Sequence, residues 1–424
     1  MTTHVEHLVV VGASLAGVRA VEAARKAGFR GKVTLVGDER HAPYDRPPLS
    51  KALLQPGTTV EAPVLRSEAS LRDDLDVCVR LGIRATGLDS RARVLGVGTQ
   101  EIAYDALVVA TGAAAHQIPG SEHLAGVHTL RTLDDARAVR AGLDDHARTV
   151  VVGAGFIGSE VASAARKRGL NVTIVETQPT PLVRAVGREL GAACSLLHVR
   201  NGTDLRCGVA VAAIEGDARV ERVRLTDGTT IEADLVVIGI GASPCTGWLS
   251  GSGLELEDGV LCDDTLRSSV ASVYAAGDVA RWHNPLFSSR MRIEHWTSAA
   301  EQGAHAARNA IGHTPAEPYS TVPYFWSDWY GSRIQFVGVA SGDAYEVVSG
   351  DLNSDHFVAL YRRGDKLGGT LTLNGQRHIM KYRRLLAEGA SFAEALDFGK
   401  TMAREHTGTA RRVPTVADPV ENAS

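Results

Sequence analysis

The chain has 424 residues, 44% of them hydrophobic and 22% charged, with a formal net charge of −4. That length allows two or three domains with substantial cores. The mild acidity argues against a general nucleic-acid binder, and no apolar run reaches the ~18 residues that a membrane-spanning helix needs.

The first predicted strand, Leu8-Val9-Val10-Val11, runs directly into Gly12-Ala13-Ser14-Leu15-Ala16-Gly17. Such an early start leaves no room for a signal peptide, so a cytoplasmic protein is expected. A strand, a glycine turn and a helix in this order form a dinucleotide fingerprint. The first glycine makes the turn, the second position lets backbone approach a pyrophosphate, and the third lets helix and strand pack. Ser14 stands at the middle position and is small enough to be tolerated. An alanine-rich helix pattern with Val18, Val21 and Ala24 ends at Gly28. The strand Val33-Thr34-Leu35-Val36 then leads to Gly37-Asp38-Glu39. An acid at this point binds the adenosine ribose, and either Asp38 or Glu39 qualifies.

The segment Ala42–Lys51 is proline-rich and irregular, which suits a surface or site loop. The strand Leu107-Val108-Val109 breaks at Ala110-Thr111-Gly112. About 140 residues after the first fingerprint comes a second, Gly153-Ala154-Gly155-Phe156-Ile157-Gly158, directly after Val150-Val151-Val152. Its helix ends at Gly169, and Val172-Thr173-Ile174-Val175 leads to Glu176. A carboxylate there accepts ribose hydroxyls and repels a 2′-phosphate, and no arginine follows it immediately, so NADH is expected over NADPH. A further strand is read in Ala233–Gly241, and the segment Val273–Val279 is another that ends in Gly277-Asp278. A helix is predicted from Trp296 to Ile311.

From about Pro315 the texture changes. Aromatics cluster at Tyr319, Tyr324, Phe325, Trp326, Trp329 and Tyr330, and short β-like runs follow. The last twenty or so residues are polar and expected to fray. The five cysteines (Cys78, Cys194, Cys207, Cys245 and Cys262) form no C-x-x-C pair, so a disulfide scaffold, a redox dithiol and a metal site all lack support. The expected fold is α/β. Two Rossmann-like domains, a discontinuous one for FAD (1–112 and 239–314) and one for NADH (113–238), precede a C-terminal α+β domain (315–424).

In order, the motifs GASLAG, RPPLSK, ATG, GAGFIGSE, YAAGD, EHW and FWSD resemble the FAD-dependent pyridine nucleotide–disulfide oxidoreductases. Within them the chain is similar to the NADH:ferredoxin reductases of cytochrome P450 and Rieske oxygenase systems. The resemblance runs from about residue 5 to 400. It implies FAD and NADH as cofactors, a [2Fe-2S] ferredoxin as acceptor, and electrons passed on singly after a hydride reaches the flavin. It puts Arg46 on FAD phosphate and Lys51 near flavin N5, and pairs Lys51 with Glu160 by the nicotinamide. It puts Ala110, Thr111, Gly112 and Gly277 against FAD, with Asp278 on the ribityl chain. It also turns the helix beginning at Trp296 toward the flavin pyrimidine and sets Trp326 by the isoalloxazine, although both tryptophans equally suit a hydrophobic core. Trp329 departs from the glutamine expected after Ser-Asp.

Disulfide-reductase branches carry a cysteine in the loop occupied here by Arg46-Pro47-Pro48-Leu49-Ser50-Lys51, so electrons must leave for an external acceptor. NADH oxidase, rubredoxin reductase and an apoptosis-inducing-factor-like NADH sensor are the alternatives. A basic stretch (Arg362, Arg363, Lys366, Arg377, Lys381, Arg383 and Arg384, opposed by Asp365) reads as a solvated face or as a surface attracting an acidic ferredoxin.

Overall fold

The computed structural model describes residues 4–58, 61–312, 316–340 and 344–409. The stretch from 410 onward, most of the tail expected to fray, lies outside the described residues. The chain parts into two compact units, Met1–Ile334 and Gln335–Ser424. The boundary between these units lies after the aromatic cluster.

In the first unit the elements that position the site are β1 (His7–Val11), α1 (Leu15–Lys26), β2 (Lys32–Val36), β3 (Val77–Arg80) and β4 (Ala106–Val109). They continue with β5 (Val127–Thr129), α2 (Leu133–Asp144), β6 (Thr149–Val152), α3 (Phe156–Lys167) and β7 (Val172–Glu176). Then come α4 (Arg188–Arg200), β8 (Asp204–Cys207), β9 (Leu235–Ile238), β10 (Val273–Ala275), α5 (Trp296–Ala310) and β11 (Tyr324–Trp329).

Two five-stranded parallel sheets result, in the orders β10-β4-β1-β2-β3 and β8-β7-β6-β9-β5. Parallel strands covered on both faces need continuous apolar runs, and β4, β6 and β9 are buried along their whole length. Because β10 pairs with β4, the chain returns to its first sheet after completing the second. In each sheet the strand before the fingerprint lies where the strand order reverses, which is where open α/β sheets bind ligands. Both fingerprint helices end as the sequence suggests, at Gly28 (φ +86°) and Gly169 (φ +74°), in the left-handed conformation that glycine adopts without strain.

The crossing of α1 and α5 is close. A Cβ on Gly303 of α5 would lie 2.1 Å from the Ala16 carbonyl oxygen of α1. In the second unit, Ala344–Gly350, Phe357–Arg363 and Lys366–Leu373 form an antiparallel ladder with helices Gln376–Ala387 and Phe392–Thr409. There Arg362 pairs with Asp365, and Arg384 pairs with Glu388, so the basic stretch is opposed by more than Asp365.

Replacing Gly303 by Val should force α1 and α5 apart and cost about 3 kcal/mol. A fall in the Tm of the FAD-loaded protein checks this; an unchanged Tm would show that the crossing relaxes freely.

Candidate functional site

The two fingerprints are built alike. Gly12 (φ +118°) and Gly153 (φ +99°) each turn the chain off a strand, and their N–H groups donate to Val36 and Val175 carbonyls at 2.8 Å. A Cβ on Gly17 would sit 1.8 Å from the Gly12 oxygen, and one on Gly158 would sit 2.2 Å from the Gly153 oxygen. The third glycine is thus demanded by helix–strand packing. The middle position is different. A Cβ on Gly155 would meet nothing nearer than 3.8 Å, so protein packing does not explain its bareness. The free space there suits a pyrophosphate.

The helix ends agree. α1, α3 and α5 begin at Ser14, Gly155 and His295 with no side-chain cap and no acid in the first turn. By contrast α2 has a full capping box from Thr132 and Asp135. Uncapped N-terminal amides carry partial positive charge and invite an anion. Ile157 and Ile240, 40% and 37% exposed, leave apolar surface beside the second turn. The residues present therefore fit two dinucleotides.

Around the first fingerprint, Arg46 Nε donates to Ser14 Oγ at 3.2 Å, Nη1 to the Arg131 carbonyl at 2.6 Å and Nη2 to Glu39 at 2.5 Å. Tyr44 donates its hydroxyl to Glu39, and burial pushes the Tyr44 phenol well above its usual pKa. Asp38 instead turns outward to Arg84, 2.6 Å away. Thr111 Oγ1 donates to the Cys245 carbonyl at 2.9 Å, next to Ala110 and Gly112 (φ +66°). Gly277 N–H donates to Gln302 at 2.8 Å, and Asp278 pairs with Arg131 at 2.7 Å. Trp296 Nε1 donates to Asp45 at 2.6 Å, while Trp326, half-buried, stacks on Tyr324 with ring centres 5.6 Å apart. At the second fingerprint, Glu176 accepts from Ala154 N–H at 2.9 Å and Gln178 N–H at 2.8 Å, which sets its carboxylate at the turn.

Between these regions the structure brings Lys51 and Glu160 together, Nζ to Oε1 2.5 Å. The carboxylate is only 3% exposed. It also accepts from Ser50 Oγ at 2.5 Å, from the Ser327 hydroxyl and from the Asp328 N–H at 3.2 Å. A pocket of about 210 Å³, lined by Ser50, Lys51, Gln55, Glu160, Ser163, Lys167, Asp328 and Gly331, opens beside the pair.

Sequence reasoning missed several members. Arg131 has no motif of its own, and Ser50 stands inside RPPLSK without a role assigned to it. Trp329 is fully buried and donates to Ser327 Oγ at 2.8 Å. His198, also fully buried, lies between Ser159 Oγ (3.2 Å) and Tyr330 OH (2.7 Å), and burial lowers its pKa to about 4.

A fold with two dinucleotide fingerprints meeting at a lysine–carboxylate pair defines a flavin- and nicotinamide-binding oxidoreductase. The chain belongs to the pyridine nucleotide-disulphide oxidoreductase family, whose model matches residues 6–303, and a reductase C-terminal model matches 324–401. It is similar to rhodocoxin reductase of Rhodococcus erythropolis, 36% identical over 90% of this chain and 89% of that one. It is 37% identical to the biphenyl dioxygenase system ferredoxin–NAD(+) reductase component of Paraburkholderia xenovorans, over 91% and 94%. Among solved structures, a chain of the covalent putidaredoxin reductase–putidaredoxin complex superposes with a TM-score of 0.87 at 30% identity, covering 94% of this chain and 99% of that one. Among the described residues no helix is long and apolar enough to cross a membrane.

His198 gives a pH prediction. Its folded pKa of about 4 lies below the unfolded 6.5, so the unfolded chain binds the extra proton as pH falls. The stability from this group is full above pH 6.5 and declines toward pH 4, by about 1.4 kcal/mol per unit. In His198→Asn, thermal unfolding should lose that part of its acid sensitivity. An equally steep decline would show that His198 does not titrate this way.

Proposed function

We propose that the chain is a flavoprotein reductase that carries electrons from NADH through FAD, singly, to a [2Fe-2S] ferredoxin serving a cytochrome P450 or Rieske oxygenase in the cytoplasm. The observation that carries this reading is the Lys51–Glu160 pair. Lys51 ends the loop whose Arg46 reaches the first fingerprint, and Glu160 lies on the helix that begins at the second. The partner is supported by the relatives, one named a ferredoxin–NAD(+) reductase and another crystallised with putidaredoxin.

Bound FAD supplies the change from two-electron to one-electron transfer, and the protein supplies position and charge. The amides of α1 behind Gly12, Ser14 and Gly17, with Arg46, would hold the FAD pyrophosphate. Glu39 suits the adenosine ribose better than Asp38, because its carboxylate sits with Arg46 and Ser14 while Asp38 is held at the surface by Arg84. Ala110, Thr111, Gly112, Gly277, Asp278, Trp296 and Trp326 complete that side. Gly153, Gly155 and Gly158 would hold the NADH pyrophosphate and Glu176 its ribose. Lys51 offers a fixed positive charge toward negative charge gained on reduction. Residues 1–112 with 239–314 form the FAD domain, 113–238 the NADH domain and 315–424 the third.

NADH oxidation by the FAD-loaded protein with cytochrome c as final acceptor should be strongly stimulated by a [2Fe-2S] ferredoxin. Fast oxidation without stimulation would assign an oxidase instead. Glu176→Arg should raise the NADPH-to-NADH ratio of kcat/KM by about tenfold or more, by exchanging repulsion for attraction at the 2′-phosphate. An unchanged ratio would remove Glu176 from the ribose site.

A further inference from the structure

We propose that Trp329 is a positioning residue for Glu160, acting through Ser327: its indole N–H fixes the serine hydroxyl as a donor to the carboxylate that holds Lys51. The inference rests on the reading of Lys51–Glu160 as the working junction of the two nucleotide sites.

The geometry leaves the hydroxyl one arrangement. Ser327 and Trp329 are two apart on β11, so strand alternation puts both side chains on the same face. Both are fully buried. A serine hydroxyl has one proton and two lone pairs, whereas an indole N–H can only donate. Trp329 Nε1 lies 2.8 Å from Ser327 Oγ, so it occupies a lone pair there. The one hydroxyl proton is left for Glu160 Oε1, the oxygen that also receives Lys51 Nζ. A hydroxyl that already accepts a hydrogen bond is polarised and donates more strongly in a low-dielectric interior.

The indole is itself clamped. Its ring lies 5.0 Å from that of His198, which is bound between Tyr330, the next residue along the chain, and Ser159, the neighbour of Glu160 on α3. The Tyr330 N–H donates to Ser163 Oγ of the same helix at 2.8 Å. These contacts tie the end of β11 to α3, directly through Ser163 and Glu160 and by way of His198 of α4. Glu160 Oε2 meets Ser50, and Oε1 meets Lys51, Ser327 and the Asp328 amide.

The test is a double-mutant cycle on the FAD-loaded protein. It reads two quantities: the single-turnover rate of flavin reduction by NADH, and the midpoint potential of the bound flavin. Trp329→Phe keeps an aromatic ring for His198 and removes the N–H. It should slow reduction about fivefold, the effect of one hydrogen bond, and make the potential more negative. Ser327→Ala should do more. Adding Trp329→Phe to Ser327→Ala should change nothing further, because the route from Trp329 to Glu160 is already cut. Effects that multiply in the double variant would assign Trp329 a packing role and overturn the proposal, as would an unchanged rate and potential in Trp329→Phe.

Glu160→Gln separates the two readings. If it slows reduction while Trp329→Phe does not, only the present inference fails. If Glu160→Gln itself is without effect, the junction reading fails and takes this inference with it. Should Trp329→Phe not retain FAD, Ser327→Thr against Ser327→Ala reads the same relay: recovery by threonine supports it, and equal loss in both overturns it.

Discussion

A carboxylate buried to 3% exposure governs the first unit. Left without partners, a charge there would cost several kcal/mol, and removing one member of such a buried pair typically costs ~3–5 kcal/mol. Glu160 is satisfied because two segments far apart in sequence deliver donors to it. The loop after β2 brings Ser50 and Lys51, and β11 brings Ser327 and the Asp328 amide. The need to satisfy Glu160 therefore fixes where that loop and that strand lie against α3. It also links the two fingerprints, since α3 begins at the second and the loop's Arg46 contacts Ser14 of the first.

The two fingerprints show how one local design is tuned twice. Both use the first and third glycines for reasons internal to the protein: a left-handed turn, and a helix packed onto a strand. Only the middle position differs. In the first copy Ser14 meets Arg46, which brings a permanent cation to the helix N-terminus. In the second, Gly155 leaves open space and exposed isoleucines nearby. A fixed cation suits a cofactor that stays bound; an open, partly apolar cleft suits a nucleotide that must enter and leave. Among the described residues, no cysteine lines the pocket beside Lys51 and Glu160, and burial pushes Cys194 up to about 12, keeping it protonated.

Much of this was legible in the sequence because it is local. Apolar runs that end in Gly12 and Gly153 specify buried parallel strands feeding helices, and an acid follows each second strand: Asp38 or Glu39 in the first unit, Glu176 in the second. Features that depend on distant segments were not legible. Asp38 and Glu39 are adjacent and chemically alike; only Arg84 on one side and Arg46 with Tyr44 on the other tell them apart. The Arg131–Asp278 pair joins residues 147 apart and carries no periodic signal. Trp329 departs from the expected glutamine, and its role as a buried donor is not readable locally, because Ser327, Glu160 and His198 meet only in the fold. The Lys51–Glu160 contact came from family resemblance, since spacing alone links no residues 109 apart.

The most direct measurement is anaerobic mixing of the FAD-loaded protein with one equivalent of NADH, followed by oxidised [2Fe-2S] ferredoxin, while the visible flavin absorbance is recorded. The account predicts full bleaching at least as fast as ferredoxin-dependent turnover, then return of the colour as ferredoxin is reduced. A flavin that stays oxidised with NADH, or that stays bleached with ferredoxin present, would contradict it.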